Sequence, residues 1–182
     1  MGISPVGGGI FGCVRIGFGF VGIFDKGKER TIWDNKGQVV FKGKARIGHG
    51  SRFVVGEAGK LELGDNFQCT STLSLICYKS VKMGQNVLIS WETLIMDTDF
   101  HRVLDLGVNT INEETKEIIV GNDVWIGARA TILKGSVIPS HSIIGAMSLI
   151  SRVFKKEYTV IAGNPAVIIK HNVTYEIKRT DF

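Results

Sequence analysis

The stretch Val120-Gly-Asn-Asp-Val-Trp-Ile126-Gly-Ala-Arg-Ala-Thr-Ile132-Leu-Lys-Gly-Ser-Val-Ile138-Pro-Ser-His-Ser-Ile-Ile144-Gly-Ala-Met-Ser-Leu-Ile150 decides the fold. An aliphatic residue recurs every six positions, at Val120, Ile126, Ile132, Ile138, Ile144 and Ile150. Glycine follows at Gly121, Gly127 and Gly145. A small residue sits four places after the aliphatic one, at Val124, Ala130, Ser136, Ser142 and Ser148. A period of six fits neither an amphipathic helix nor an alternating strand. It is a repeat, and repeats fix the architecture first.

Three hexads make one triangular turn of a parallel β-helix. The aliphatic side chains point inward and stack from coil to coil, the small residue leaves room at the corner, and glycine permits a sharp bend. Coils rise by the strand spacing of about 4.8 Å. Upstream the beat continues in broken phase, through Ile47 and Phe53, then Leu63, Cys69, Leu75 and Val81, then Met83, Ile89 and Ile95. The motif Leu63-Gly-Asp-Asn-Phe67 recurs as Met83-Gly-Gln-Asn-Val87 and Val120-Gly-Asn-Asp-Val124, with an earlier echo at Arg15-Ile-Gly-Phe-Gly19. The chain reads as all-β. One β-helix domain covers residues 1–170 in roughly six to seven turns, and a short tail covers 171–182.

Composition agrees with one packed domain: 44% of residues are hydrophobic, glycine is abundant and proline scarce. Three cysteines, Cys13, Cys69 and Cys77, have neither metal-ligand spacing nor even number. They predict a reducing, cytoplasmic setting, with Cys69 as a small buried apolar residue. Residues 1–24 are apolar but hold eight glycines and Arg15, so they predict a first coil with an artificial or truncated start, not a membrane span. Peripheral contact with a membrane-bound complex stays open. The net charge of +5 is modest and scattered, which argues against nucleic acid.

The beat fails over residues 96–117, which predicts a loop inserted at a corner. Solenoids take insertions there, and such loops carry binding residues. It opens on Met96-Asp-Thr-Asp-Phe-His101, the densest reactive group in the chain. His101 is a candidate general base, because a neutral imidazole can take a hydroxyl proton near pH 7. Asp97, Asp99, Asp105 and Glu92 are candidates to orient it. His49 and His141 read as solvent-facing coil positions, and His171 lies in the tail. The basic residues Arg152, Lys155 and Lys156, and those from Lys170 on, fall beside the last coils, where they suit a phosphate-bearing cofactor.

Together these motifs resemble the hexapeptide-repeat acyltransferases. The part from Val120-Gly-Asn-Asp-Val-Trp-Ile-Gly127 to Ala162-Gly-Asn-Pro-Ala166 is similar to the maltose, galactoside and serine acetyltransferase group. The stretch Ile89-Ser-Trp-Glu-Thr-Leu-Ile-Met-Asp-Thr-Asp-Phe-His101 is similar to acetyltransferases of capsule and surface-polysaccharide loci. The resemblance implies a left-handed β-helix and a homotrimer with sites between neighbouring coils. It implies acetyl-CoA as co-substrate, no required metal, and a sugar or polysaccharide-precursor acceptor. His101 would be the base, with Asp99 and Asp97 beside it. Ala128 and Ala146 match positions whose backbone meets the pantetheine arm. Ser151 and Arg152 stand where the family has Thr-Lys, and Lys170 where a basic residue meets phosphate, helped by Lys155 and Lys156. Trp125 either borders the cofactor groove or is an outward aromatic covered by a neighbouring subunit. Thr70, Ser71, Thr72 and Ser74 are acceptor-contact candidates. The alternatives on this scaffold are N-acetylation of an amino sugar, acetylation of an antibiotic, and a carbonic-anhydrase-like zinc site.

Overall fold

The computed structural model describes residues 2–5, 13–19, 21–25, 27–108 and 110–176. Strands stack in parallel into three sheets, the faces of a triangular coil. The first sheet runs Gly2–Pro5, Gln38–Phe41, Lys60–Leu63, Ser80–Met83, Ile118–Val120, Val137–Ile138. The second runs Val14–Ile16, Ala45–Ile47, Phe67–Cys69, Leu88–Ile89, Trp125–Ile126, Ile143–Ile144, then Thr159–Gly163 with its antiparallel partner Ala166–His171. The third holds Ile32–Asn35, Arg52–Val55, Ser74–Cys77, Leu94–Met96, Thr131–Leu133 and Leu149–Ile150. Each coil takes one strand from each sheet, so the described residues complete six coils, numbered here from the N-terminus, and begin a seventh.

The sixfold beat is the core. Val120, Ile126, Ile132, Ile138, Ile144 and Ile150 are all buried, as are Val124, Ala130, Ser136, Ser142 and Ser148. Register stacks equals on equals, Ile95 on Ile132 on Ile150, for example. Burying such an aliphatic side chain stabilises by about 1.5–3 kcal/mol. Cys69 is buried in the same rows.

The expected role of glycine needs correction. Left-handed backbone falls two residues later, at Asn66, Asn86, Asp123, His141 and Tyr158 on one corner. On the corner between the second and third sheets it falls at Gly50, Thr72, Glu92, Arg129 and Met147. Asparagine and aspartate tolerate that region better than most residues. Glycine is needed instead where coils touch: a Cβ on Gly127 would lie 2.7 Å from the backbone nitrogen of Ala146.

Side chains bond along the first of these corners. Asn66 donates to Asn86 at 2.9 Å, and Asn86 donates to Asp123 at 2.7 Å. The His141 ring lies 3.5 Å from Asp123 and stacks on Tyr158 at 4.5 Å. His141 is half-buried, and His49 is only 4% exposed, so the expectation that both face solvent does not hold.

The insertion leaves the coil where expected, between Met96 of the third sheet and Ile118 of the first. It carries a short hairpin, Leu104–Asp105 with Thr110–Ile111. A second insertion, with residues 17–19, 21–25 and 27–31 described, lies between Val14–Ile16 and Ile32–Asn35 in coil 1. The beat there is too weak to reveal it. The tail begins with residues 172–176, which fold back along the coil, with the Tyr175 hydroxyl donating to the Asn86 carbonyl at 2.9 Å. Met1 and the basic residues Lys178 and Arg179 lie outside the described residues. No helix among the described residues is long and apolar enough to cross a membrane.

Candidate active site

The insertion is anchored at its root by Asp97. This carboxylate is fully buried and accepts the backbone N–H groups of Tyr78 and Lys79 at 2.7 Å and of Ser80 at 2.8 Å. Three charge-assisted bonds use its acceptor capacity on the corner below. Asp97 is thus placed as the strut of a corner, and its carboxylate does not turn towards His101.

Asp99 is committed elsewhere too. Its carboxylate pairs with Lys134 Nζ at 2.5 Å, and the same ammonium donates to the Glu113 carbonyl. Lys134 therefore ties both arms of the insertion to coil 5. Sequence reasoning missed it, since nothing local links a coil lysine to a loop 35 residues earlier. Asp99 does contact His101, but through its backbone: Nδ1 of His101 lies 3.3 Å from the Asp99 carbonyl oxygen. A carbonyl only accepts, so Nδ1 donates and carries the proton. Nε2 then keeps its lone pair, and the ring is exposed. The rings of Tyr78 and neighbouring Phe100 meet in a T-shaped contact with centroids 5.1 Å apart. Glu92 pairs with Arg129 at 2.6 Å, and Asp105 accepts N–H groups of its own turn.

The residues assigned to a cofactor divide between two corners. Ala128 and Ala146 stack on coils 5 and 6 where the second sheet turns into the third. Ala128 is half-buried and Ala146 exposed. Met147 N–H donates to the Ala128 carbonyl at 2.9 Å, which locks the two coils together. Ser151 and Arg152 follow Leu149–Ile150 on the opposite edge of the third sheet, the edge that also bears His101. Arg152 donates to the Ala166 carbonyl and lies 5.3 Å over the Phe154 ring. Lys155, Lys156 and Lys170 are exposed beyond them. Trp125 donates to Ser90 Oγ at 3.2 Å and meets the Tyr175 ring at 6.1 Å. It is therefore partly covered by the chain's own tail.

The outer face of the third sheet between those edges carries one aliphatic row beside a row that also holds Arg52, Ser74 and Thr131. Val54, Ile76, Met96 and Leu133 form one outward row, and Leu94 and Leu149 lie in the next. The four histidines lie at separate places, His49 in coil 2, His101 in the insertion, His141 on another corner and His171 on the last strand. Among the described residues no three His, Cys, Asp or Glu side chains converge to hold a metal. A carbonic-anhydrase-like site would need such a set.

No family model matches the chain. WbbJ of Escherichia coli (strain K12), provisionally named a lipopolysaccharide biosynthesis O-acetyl transferase, is 29% identical over 144 residues. That match covers 75% of this chain and 73% of WbbJ. The crystal structure of the polySia specific acetyltransferase NeuO superposes with a TM-score of 0.72 at 25% identity, over 83% of this chain and 64% of NeuO.

In sequence and in fold the chain is similar to acetyltransferases of the hexapeptide-repeat group. The coil is a left-handed β-helix, as in these structural neighbours. A galactoside acetyltransferase solved in complex with coenzyme A shares the fold at a TM-score of 0.52 and 23% identity, over 74% of this chain and 64% of that one. The chain spans less than two thirds of the length of either solved protein.

Proposed function

We propose that this chain is an acetyl-CoA-dependent O-acetyltransferase. Its acceptor is a sugar hydroxyl of a surface polysaccharide or of a lipid- or nucleotide-linked precursor, and His101 is the general base. The observation that carries the reading is the split of the site. His101, Ser151 and Arg152 lie on one edge of the third sheet, and Ala128 and Ala146 on the other. Six residues separate Ala128 from Lys134, or up to about 20 Å of extended chain. Reacting atoms must come within about 3.5 Å.

Two copies close that gap. The outward aliphatic row Val54, Ile76, Met96 and Leu133 of the third sheet suits burial against another copy, and a closed ring sets one subunit's His101 edge against its neighbour's Ala128 edge. A homotrimer of this kind holds one cofactor in each groove. The pantetheine arm lies along the Ala128 and Ala146 backbone, and Arg152, Lys155, Lys156 and Lys170 face the phosphates.

In the reaction, Nε2 of His101 takes the proton of the sugar hydroxyl. The hydroxyl oxygen attacks the thioester carbonyl, and backbone N–H groups stabilise the oxyanion. The intermediate collapses as the C–S bond breaks, and the coenzyme A thiolate recovers the proton from His101. The residues call for neither a metal nor an acyl-enzyme. The match to WbbJ supports a surface-polysaccharide acceptor. The three free cysteines favour a reducing cytoplasm.

The test is calorimetric titration with acetyl-CoA, followed by mass spectrometry of candidate sugars incubated with enzyme and acetyl-CoA. Binding, and a product that hydroxylamine cleaves as an ester, support the reading. A hydroxylamine-stable amide would move it to N-acetylation, and no binding at millimolar acetyl-CoA would end it.

A further inference from the structure

The corner between the second and third sheets changes character along the coil. At coils 4, 5 and 6 it carries Trp91, Ala128 and Ala146, the first two half-buried and the third exposed. At coils 2 and 3 the same positions are His49 and Ser71, 4% and 0% exposed. Phe24, Glu29 and Thr31 of the second insertion lie over coil 2 there. The Phe24 ring meets His49 edge-on at 6.1 Å, and Gly50 N–H donates to Thr31 Oγ1 at 3.1 Å. Glu29 packs so close that a Cβ on Gly50 would sit 3.1 Å from its own.

On this corner two buried side-chain atoms, His49 Nδ1 and Thr70 Oγ1, have no hydrogen-bond partner among the described residues. The other ring nitrogen of His49 faces Ser71 Oγ at 3.4 Å. Buried polar atoms are normally satisfied, so two on adjacent coils point to an occupant with hydroxyl groups. On the second insertion itself Phe18 and Ile23 are 65% and 68% exposed. Exposed apolar side chains and unsatisfied polar atoms are the two things a sugar needs, since it has both a C–H face and hydroxyls.

Height along the coil says which end of the groove this is. The His101 insertion leaves coil 4, so in a ring of equal copies it faces the neighbour's Trp91. On the shared-groove reading, a cofactor held at coils 5 and 6 must bring its thioester to that level to meet His101. The acceptor then lies below, at coils 3 and 2, about 5–10 Å further at the coil rise. That length suits one or two sugar rings.

We infer that residues 17–31 are the acceptor-selecting flap of the groove. The flap holds a sugar of the acceptor against Phe18, Ile23 and Trp91, and opens Thr70 Oγ1 and His49 Nδ1 to one of its hydroxyls. This assignment rests on the shared-groove reading above.

The test uses the full-length enzyme with acetyl-CoA and the p-nitrophenyl glycosides of galactose, glucose, mannose and N-acetylglucosamine. The glycoside that the wild type acetylates fastest serves as probe. Thr70→Val keeps the side chain's shape and removes only the unpartnered hydroxyl, so it folds. It is expected to raise the acceptor KM about tenfold and leave the acetyl-CoA KM unchanged. The double variant Phe18→Ser/Ile23→Ser, on exposed positions, is expected to do the same. Unchanged acceptor KM in both variants, with Thr70→Val melting higher than wild type, would overturn the assignment. Failure of the underlying reading looks different: the wild type itself would bind no acetyl-CoA or acetylate none of the glycosides, and both proposals would fall.

Discussion

The Nδ1 atom of His101 lies 3.3 Å from the backbone carbonyl of Asp99, so a main-chain oxygen orients the candidate base. That contact fixes the tautomer that a base needs, with the lone pair on Nε2. Replacing His101 with alanine is expected to lower kcat for acetyl transfer by about 10²–10⁴-fold, the usual worth of a positioned base. Acetyl-CoA affinity should hold. Stopped assays of coenzyme A release, with calorimetry on the same variant, separate the two. Wild-type turnover in His101→Ala would remove His101 from the mechanism.

Asp97 behaves differently on this account. Its carboxylate accepts three backbone N–H groups in a fully buried position. An amide in its place turns an N–H₂ towards donors. Asp97→Asn should therefore cost about 2 kcal/mol or more of stability, since bonds to a charged group are each worth about 1.5–3 kcal/mol. Urea denaturation measures that loss. A variant as stable as wild type but catalytically dead would instead put Asp97 in the chemistry.

Burial pushes the Cys69 thiol up to about 11 and the Cys77 thiol up to about 12, from 9.0. For Cys77 the nearby Asp97 charge adds to the rise. The native chain keeps both protons at a pH where the unfolded chain has begun to lose them. Their contribution to stability is therefore intact below about pH 9 and is lost as the pH climbs through 11 to 12. Denaturation midpoints between pH 8 and 11 should fall less steeply in Cys69→Ala/Cys77→Ala than in wild type. At pH 8 iodoacetamide should modify neither residue until the chain is unfolded.

The coil was legible because its information is local. Six positions from Val120 to Ile150 state the period, and all six are buried. The corner holding the insertion was legible for the same reason, since a broken period marks it. Residues 17–31 were not, because coil 1 has no clean beat to interrupt. His101 stood out by composition, but its partners did not. Asp97, Asp99 and Asp105 look alike in sequence, and only folding shows that the first binds a corner, the second a lysine and the third its own turn. His49 looked exposed between two glycines because the flap that buries it lies some twenty residues earlier.

The claim that a site is built from two chains can be tested by complementation. Ala146→Trp fills the groove edge and leaves His101 intact, while His101→Ala leaves the groove intact. Each variant alone should be inactive. Unfolded together at equal amounts and refolded, random assembly should restore roughly a quarter of wild-type activity, because one interface in four pairs an intact His101 with an intact groove. A mixture no more active than its separate variants would contradict the shared site.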